Sequence, residues 1–307
     1  MGERPSTSAL PAVGVVADLR QRLWVGRERR ATVAMLVAAA SAYAFWPTLA
    51  ALYSKWLNDP QYSHGLLVAP FAIGLLWAKR DRFPADVRPA PLPGLILLAI
   101  AVAGHVLGGV IYFKWLEAFS FLPFLASLTL TFGGFRVLLW AMPGIAFLVF
   151  MIPMPYTLEI QLGAPLQTVA TIASTYVLQT LGQPALAEGN TIQIKDFKLG
   201  IVEACSGLRM LVTFITFSTA VCMVVRKPLS DKLLILLSAI PIALMVNITR
   251  IVITGLMYLY VNGQTAHVFF HDLAGWFMMP MALALLWVEL WVLRHLFTEM
   301  PPRVAIR

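Results

Sequence analysis

Apolar residues occur in long blocks, separated by short polar, basic or proline-rich stretches, and most blocks approach the length that crosses a membrane as a helix. The runs are Ala31 to Leu52, Gly65 to Ala78, Leu92 to Ile111, Phe119 to Phe132, Val137 to Ile152, Gly207 to Val225, Leu233 to Tyr260 and Leu273 to Leu293. Within hydrocarbon a backbone has to satisfy its own polar groups, so each run predicts a helix and not a lone strand. The expected fold is an all-α integral membrane protein, a polytopic helical bundle of about eight transmembrane helices. Pro89, Pro91 and Pro93 punctuate the loop before the third run, Gly133-Gly134-Phe135-Arg136 turns the chain after the fourth, and Pro153 and Pro155 stop the fifth. Pro241, inside the seventh run, removes one backbone hydrogen bond and predicts a kink.

Residues 153–204 break this pattern and form a long outer loop. From Tyr156 to Leu181 apolar residues recur at helical intervals but are mixed with Gln161, Gln167, Thr168, Ser174 and Gln179, which predicts an amphipathic helix, interfacial or partly inserted. Glu188-Gly189-Asn190 reads as a turn. Thr191 to Val202 alternates enough for a short extended or β segment, which delivers the chain to Cys205.

Composition excludes a soluble domain: of 307 residues 59% are apolar and only 12% charged. A net charge of +8 would point a soluble chain towards nucleic acid, but here the basic residues flank apolar runs, so they set orientation in a lipid bilayer and no nucleic-acid partner is expected. Residues 1–30 carry six arginines, and Lys79, Arg80, Arg82, Arg88, Arg136, Arg226, Lys227, Lys232 and Arg294 fall on the same side of the predicted topology. The opposite side holds only Lys55, Lys114, Lys195 and Lys198. The positive-inside rule therefore assigns residues 1–30 and 298–307 to cytoplasmic tails around a transmembrane domain over 31–297, with Cys205, Arg250 and His271 towards the outer face. Cys205 and Cys222 lie roughly 25 Å apart along one predicted helix, beyond disulfide reach.

The candidate chemistry follows from that convergence on one face. Cys205 precedes a predicted helix N-terminus, where unpaired N–H groups stabilise a thiolate, and Arg209 one turn on adds positive charge. Ser206-Gly207 permits close backbone approach and offers N–H groups to an oxyanion. The bland alternative for Cys205 is a small buried hydrophobe, which is how Cys222 reads. Arg250 stands about ten positions, or roughly 15 Å, from the end of its helix, too deep for easy snorkelling, and Asn247 on the same face is placed to hold its guanidinium. His271 and His267 each fit the base that deprotonates a thiol and reprotonates a leaving amine; His271 is preferred because Asp272 and Gly275-Trp276 follow it. Two histidines with no clear third ligand are weak evidence for a metal, so neither metal nor cofactor is expected. His64 fits a cavity lining and an interfacial helix cap about equally.

Taken together, Tyr62-Ser63-His64-Gly65-Leu66-Leu67-Val68, Glu188-Gly189-Asn190, Glu203-Ala204-Cys205-Ser206-Gly207-Leu208-Arg209, Asn247-Ile248-Thr249-Arg250 and His271 with Gly275-Trp276 resemble the recurring motifs of the exosortase and archaeosortase family of membrane transpeptidases. The resemblance implies a site in which Cys205 is the nucleophile, Arg250 an electrostatic partner and His271 the acid and base. It also implies substrates: membrane-anchored secreted proteins with a C-terminal sorting signal made of a Pro-Glu-Pro-like motif, a transmembrane helix and a basic cluster. These would be cut on the periplasmic side of the inner membrane and passed to an unknown acyl acceptor, in association with exopolysaccharide production. The rival classes are a non-catalytic membrane scaffold and a transporter component of polysaccharide export. A transporter would spread polar residues along several spans.

Overall fold

A computed structural model describes residues 40, 43–59, 62–195, 197–200, 207–225 and 227–260, with 284–285, 287–288 and 291 beyond them. The chain divides into two units, Met1–Ala51 and Leu52–Arg307. In the first, residues 43–51 are helical, and the second opens with helical residues 52–58 (α1). The second unit holds α2 (Gly65–Ala78), α3 (Pro91–Val110), a short α4 (Lys114–Phe119), α5 (Phe121–Phe147), α6 (Tyr156–Thr180), strands β1 (Ala185–Glu188), β2 (Thr191–Ile194) and β3 (Phe197–Gly200), α7 (Gly207–Val224) and α8 (Leu229–Tyr260). Pro91–Val110, Lys114–Met151 and Leu229–Tyr260 are long and apolar enough to cross a membrane, and Gly65–Ala78 and Met210–Val224 are shorter apolar helices. On α3, Leu92, Ile96, Ile100, Val106 and Val110 are all exposed. Lipid, not water, is the solvent such a surface fits.

The stretch from Lys114 to Met151 does not run straight. Gly134 has φ 77 and ψ −175, non-helical values that glycine alone tolerates, and the neighbours of the two arms show that the chain reverses there. Before the break, the Ala90 N–H donates to Leu130 O at 3.2 Å, and Thr131 lies against Gly94. After it, Trp140 Nε1 donates to Lys79 O at 3.0 Å, and Phe71 meets Phe147 with ring centroids 4.7 Å apart. Thus the first arm returns along α3 and the second along α2, and Gly134 sits at the end occupied by the 79–90 loop. Its missing side chain matters, because the Arg88 carbonyl occupies the place of a Cβ. Arg136 and Asp86 pair across the same corner at 3.6 Å. The Gly-Gly-Phe-Arg turn read from the sequence is therefore present.

α6 is one continuous helix from Tyr156 to Thr180. Thr171, Ser174 and Thr175 are buried, whereas Leu158, Ile160, Val169, Ile172 and Tyr176 are exposed. Of the polar residues named from the sequence, Ser174 is buried while Gln161, Thr168 and Gln179 are exposed, and α6 runs beside α8, whose Ile251 and Val252 share a cluster with its Ala170 and Leu178. Leu178 packs 3.3 Å from the place a Cβ on Gly255 would take, and Leu208 at the start of α7 approaches Gly163. α8 continues through Pro241 as a single helical segment, so the proline marks no break in it.

Within the segment expected to be extended, Thr191–Ile194 and Phe197–Gly200 are strands of a three-stranded antiparallel sheet in the order β1-β2-β3. Glu188 pairs with Thr191 and Ile194 with Phe197, so both connections are two-residue hairpins. Gly189 at φ 61 supplies the positive φ that the first position of such a turn favours. Alternation places Ile192, Ile194, Leu199 and Ala185 on one face, buried in a cluster with Ala170 and Leu178 of α6 and Ile251 and Val252 of α8. The sheet thereby fastens the C-terminal halves of α6 and α8 together.

Candidate active site

The site is positioned by the register of α7 on α8. A short link joins the two helices, so they pack antiparallel. Cys222 and Ile235 share one apolar cluster, and the Cys222 thiol donates to Lys232 O at 3.4 Å, as fits a packing residue. Met210 and Phe214 share another cluster with Ala239, Ala243 and Val246. Arg250, one turn beyond Val246, therefore lies at the end where the chain enters α7. Leu285, in the last predicted span, packs against the same cluster.

Arg250 is only 6% exposed and Asn247 1%. A charge buried this deeply in an apolar helix has to be compensated, and Arg250 does have a polar or electrostatic partner. That partner is not Asn247: neither Nδ2 nor Oδ1 of the amide has a hydrogen-bond partner among the described residues, so the expectation that Asn247 holds the guanidinium is corrected. One turn on, the Thr254 hydroxyl donates to Arg250 O at 2.7 Å and keeps to its own helix.

A second polar group gathers where α2 begins. His64 precedes α2 but makes no side-chain cap; its ring is buried and Nε2 donates to Phe150 O at 3.2 Å. Trp56 Nε1 donates to Met151 O at 2.8 Å. The Tyr62 hydroxyl reaches Glu159 Oε2 at 3.5 Å. These bonds tie residues 56–64 to the end of α5 and the first turn of α6. His64 is thus held as a tether between elements, where the sequence left a cavity lining and a cap open. Glu159 was missed in the sequence because a lone carboxylate in the first turn of a helix reads as a favourable dipole partner and nothing more.

Cys205, Ser206, His267 and His271 lie outside the described residues. Gly207 opens α7, and Arg209 belongs to its first turn, with a side chain likewise outside the description. Of the site residues singled out from the sequence, those with described side chains are Arg250 and Asn247 on one buried face of α8, and His64 just before α2.

The profile of the transmembrane exosortases matches residues 56–288. The chain belongs to that family. No curated protein and no solved structure matches it. The exosortase match begins at the tethering Trp56, takes in the sheet and both helices of the α7–α8 pair, and includes Cys205, Arg250 and His271. It makes this chain an exosortase-family membrane protein.

Proposed function

We propose that this exosortase is a membrane cysteine endopeptidase and transpeptidase acting on secreted proteins that carry a C-terminal sorting signal of the Pro-Glu-Pro type. In this reading an eight-span bundle lies in the inner membrane and its site faces the periplasm. The observation that carries it is the register of α7 on α8, which sets the buried Arg250 one turn past the cluster of Met210 and Val246, at the end of α7 that follows Cys205 in sequence.

The chemistry is acyl transfer. His271 takes the proton of the Cys205 thiol, and Sγ attacks the scissile carbonyl carbon. The tetrahedral oxyanion is met by Arg250 and by backbone N–H groups at Ser206 and Gly207. As the C–N bond breaks, His271 returns the proton to the leaving amine, and an acceptor nucleophile then attacks the thioester and frees the thiol. Arg209 adds positive charge near the thiolate. His267 is the second candidate for the base.

The test is processing of a co-expressed secreted reporter bearing such a tail, followed as a mass shift, with membrane levels of each variant measured alongside. Cys205→Ala and Cys205→Ser should abolish processing at normal membrane levels, since an alkoxide forms far less readily than a thiolate near neutral pH. His271→Ala should lose activity by roughly a hundredfold or more, and His267→Ala by less. A well-expressed Cys205→Ala protein that still processes the reporter would favour the scaffold reading instead.

A further inference from the structure

A hydroxyl on a helix has a ready partner in the carbonyl one turn back. Thr171 uses it, donating to Gln167 O at 2.8 Å, and so does Thr175, donating to Thr171 O at 2.8 Å. Ser174, between them on α6, does not: it is 0% exposed, and its Oγ has no hydrogen-bond partner among the described residues. Asn247 on α8 is in the same condition at both polar atoms. A buried polar group without a partner is costly to the fold, and such groups are rare enough to require a reason.

The two belong to one seam. Ala170, Ser174 and Leu178 recur every fourth residue on α6, and Ala170 and Leu178 share a buried cluster with Ile251 and Val252 of α8. Asn247, Ile251 and Gly255 form the matching row on α8, with Leu178 against Gly255. Counting back from that contact along two helices running the same way, Ser174 is one turn below Leu178 and Asn247 two turns below Gly255. The offset of one turn is about 5.4 Å, close to two residues of extended chain. The groups on offer are a hydroxyl and a neutral amide that presents donor and acceptor together, which suits peptide N–H and C=O groups and does not suit a carboxylate or a phosphate.

We propose that Ser174 and Asn247 are substrate-binding residues that hold two alternate peptide units, two residues apart, of the extended segment of the sorting signal, between α6 and α8 beside Arg250. This rests on the protease reading above and adds to it the strip that aligns the chain for cleavage. Neither group is open to solvent in this arrangement, and a peptide backbone seated beside them supplies the hydrogen bonds that the closed seam lacks.

The experiment uses the full-length membrane protein and the tail-signal reporter. Ser174→Ala and Asn247→Leu should reach normal membrane levels and unfold in detergent at the same or a higher temperature, because each removes an unsatisfied polar group. Each should nevertheless raise the KM for reporter processing by roughly tenfold, the loss expected for a hydrogen bond of about 1 kcal/mol or slightly more. In a Cys205→Ala background, which separates binding from cleavage, both should lower capture of the uncleaved reporter to a similar degree. Undiminished capture and KM in both variants would overturn the inference while leaving the protease reading intact. So would lowered unfolding temperatures with normal capture, which would mark these groups as structural and held by buried water. If the protein without either seam substitution neither captures nor cleaves the reporter, the protease reading fails and this inference falls with it.

Discussion

Burying a guanidinium in hydrocarbon costs about 3 kcal/mol at the centre of a helix on insertion scales, so Arg250 has to return that cost in function or in pairing. If its planar fork stabilises the oxyanion, a point charge on a flexible stem should not replace it. Arg250→Lys is expected to accumulate in membranes close to normal levels and to process the tail-signal reporter roughly a hundredfold more slowly, or worse. Near-normal processing by the lysine variant would show that Arg250 acts through charge alone. Arg250 was legible in the sequence because a charge inside an apolar run is an anomaly that needs no neighbours to be noticed. Ser174 was not: a serine in a helix ordinarily bonds to its own backbone, and only the packed structure shows that this one does not. Asn247 was legible as a polar residue beside Arg250, but the expected bond to the guanidinium required side-chain directions that spacing does not give.

Elements were legible where backbone chemistry left a mark. The turn at Gly133-Gly134-Phe135-Arg136 is such a case, since φ 77 with ψ −175 is a conformation only glycine holds cheaply, and the Arg88 carbonyl fills the space beside it. Gly134→Ala should therefore lower stability by about 1–3 kcal/mol. It would appear as a fall in unfolding temperature in detergent. Gly74→Ala on α2 is the control, because nothing lies near a Cβ there and the helix gains from the exchange. Equal unfolding temperatures for the two variants would contradict the reversal at Gly134. Less legible was β1, because Ala-Leu-Ala-Glu carries no β-branched residue and becomes a strand only by pairing with β2. The setting of α6 was illegible for a different reason. Polarity along a helix says that two faces differ, but not which meets protein and which meets lipid, and here the hydroxyls of Thr171, Ser174 and Thr175 turn inward.

At the scale of the whole molecule, the ends of the helices carry the orientation. Trp56 and Trp140 donate to backbone carbonyls at opposite ends of the α2 and α5 pair, as interfacial tryptophans do, and the end with Trp140 is the one where Lys79, Arg80, Arg82, Arg88 and Arg136 gather. The reversal at Gly134 makes two antiparallel arms of the stretch from Lys114 to Met151, so α2, α3 and both arms share the basic corner at one end. The sheet, the start of α7 and Arg250 lie towards one end of the α7–α8 pair, and Lys227 and Lys232 lie towards the other. If basic ends are cytoplasmic throughout, the loop after Arg88 and the segment after Gly263 fall on opposite sides of the membrane. Green fluorescent protein fused after Arg88 should fluoresce and alkaline phosphatase there should be inactive, with the reverse at Gly263. A small membrane-impermeant thiol reagent applied from outside should then label Cys205 in a Cys222→Ala protein and leave Cys222 unlabelled in a Cys205→Ala protein until denaturation. Phosphatase active at both fusion points, or Cys222 labelled in intact cells, would invert or break this topology and with it the periplasmic site.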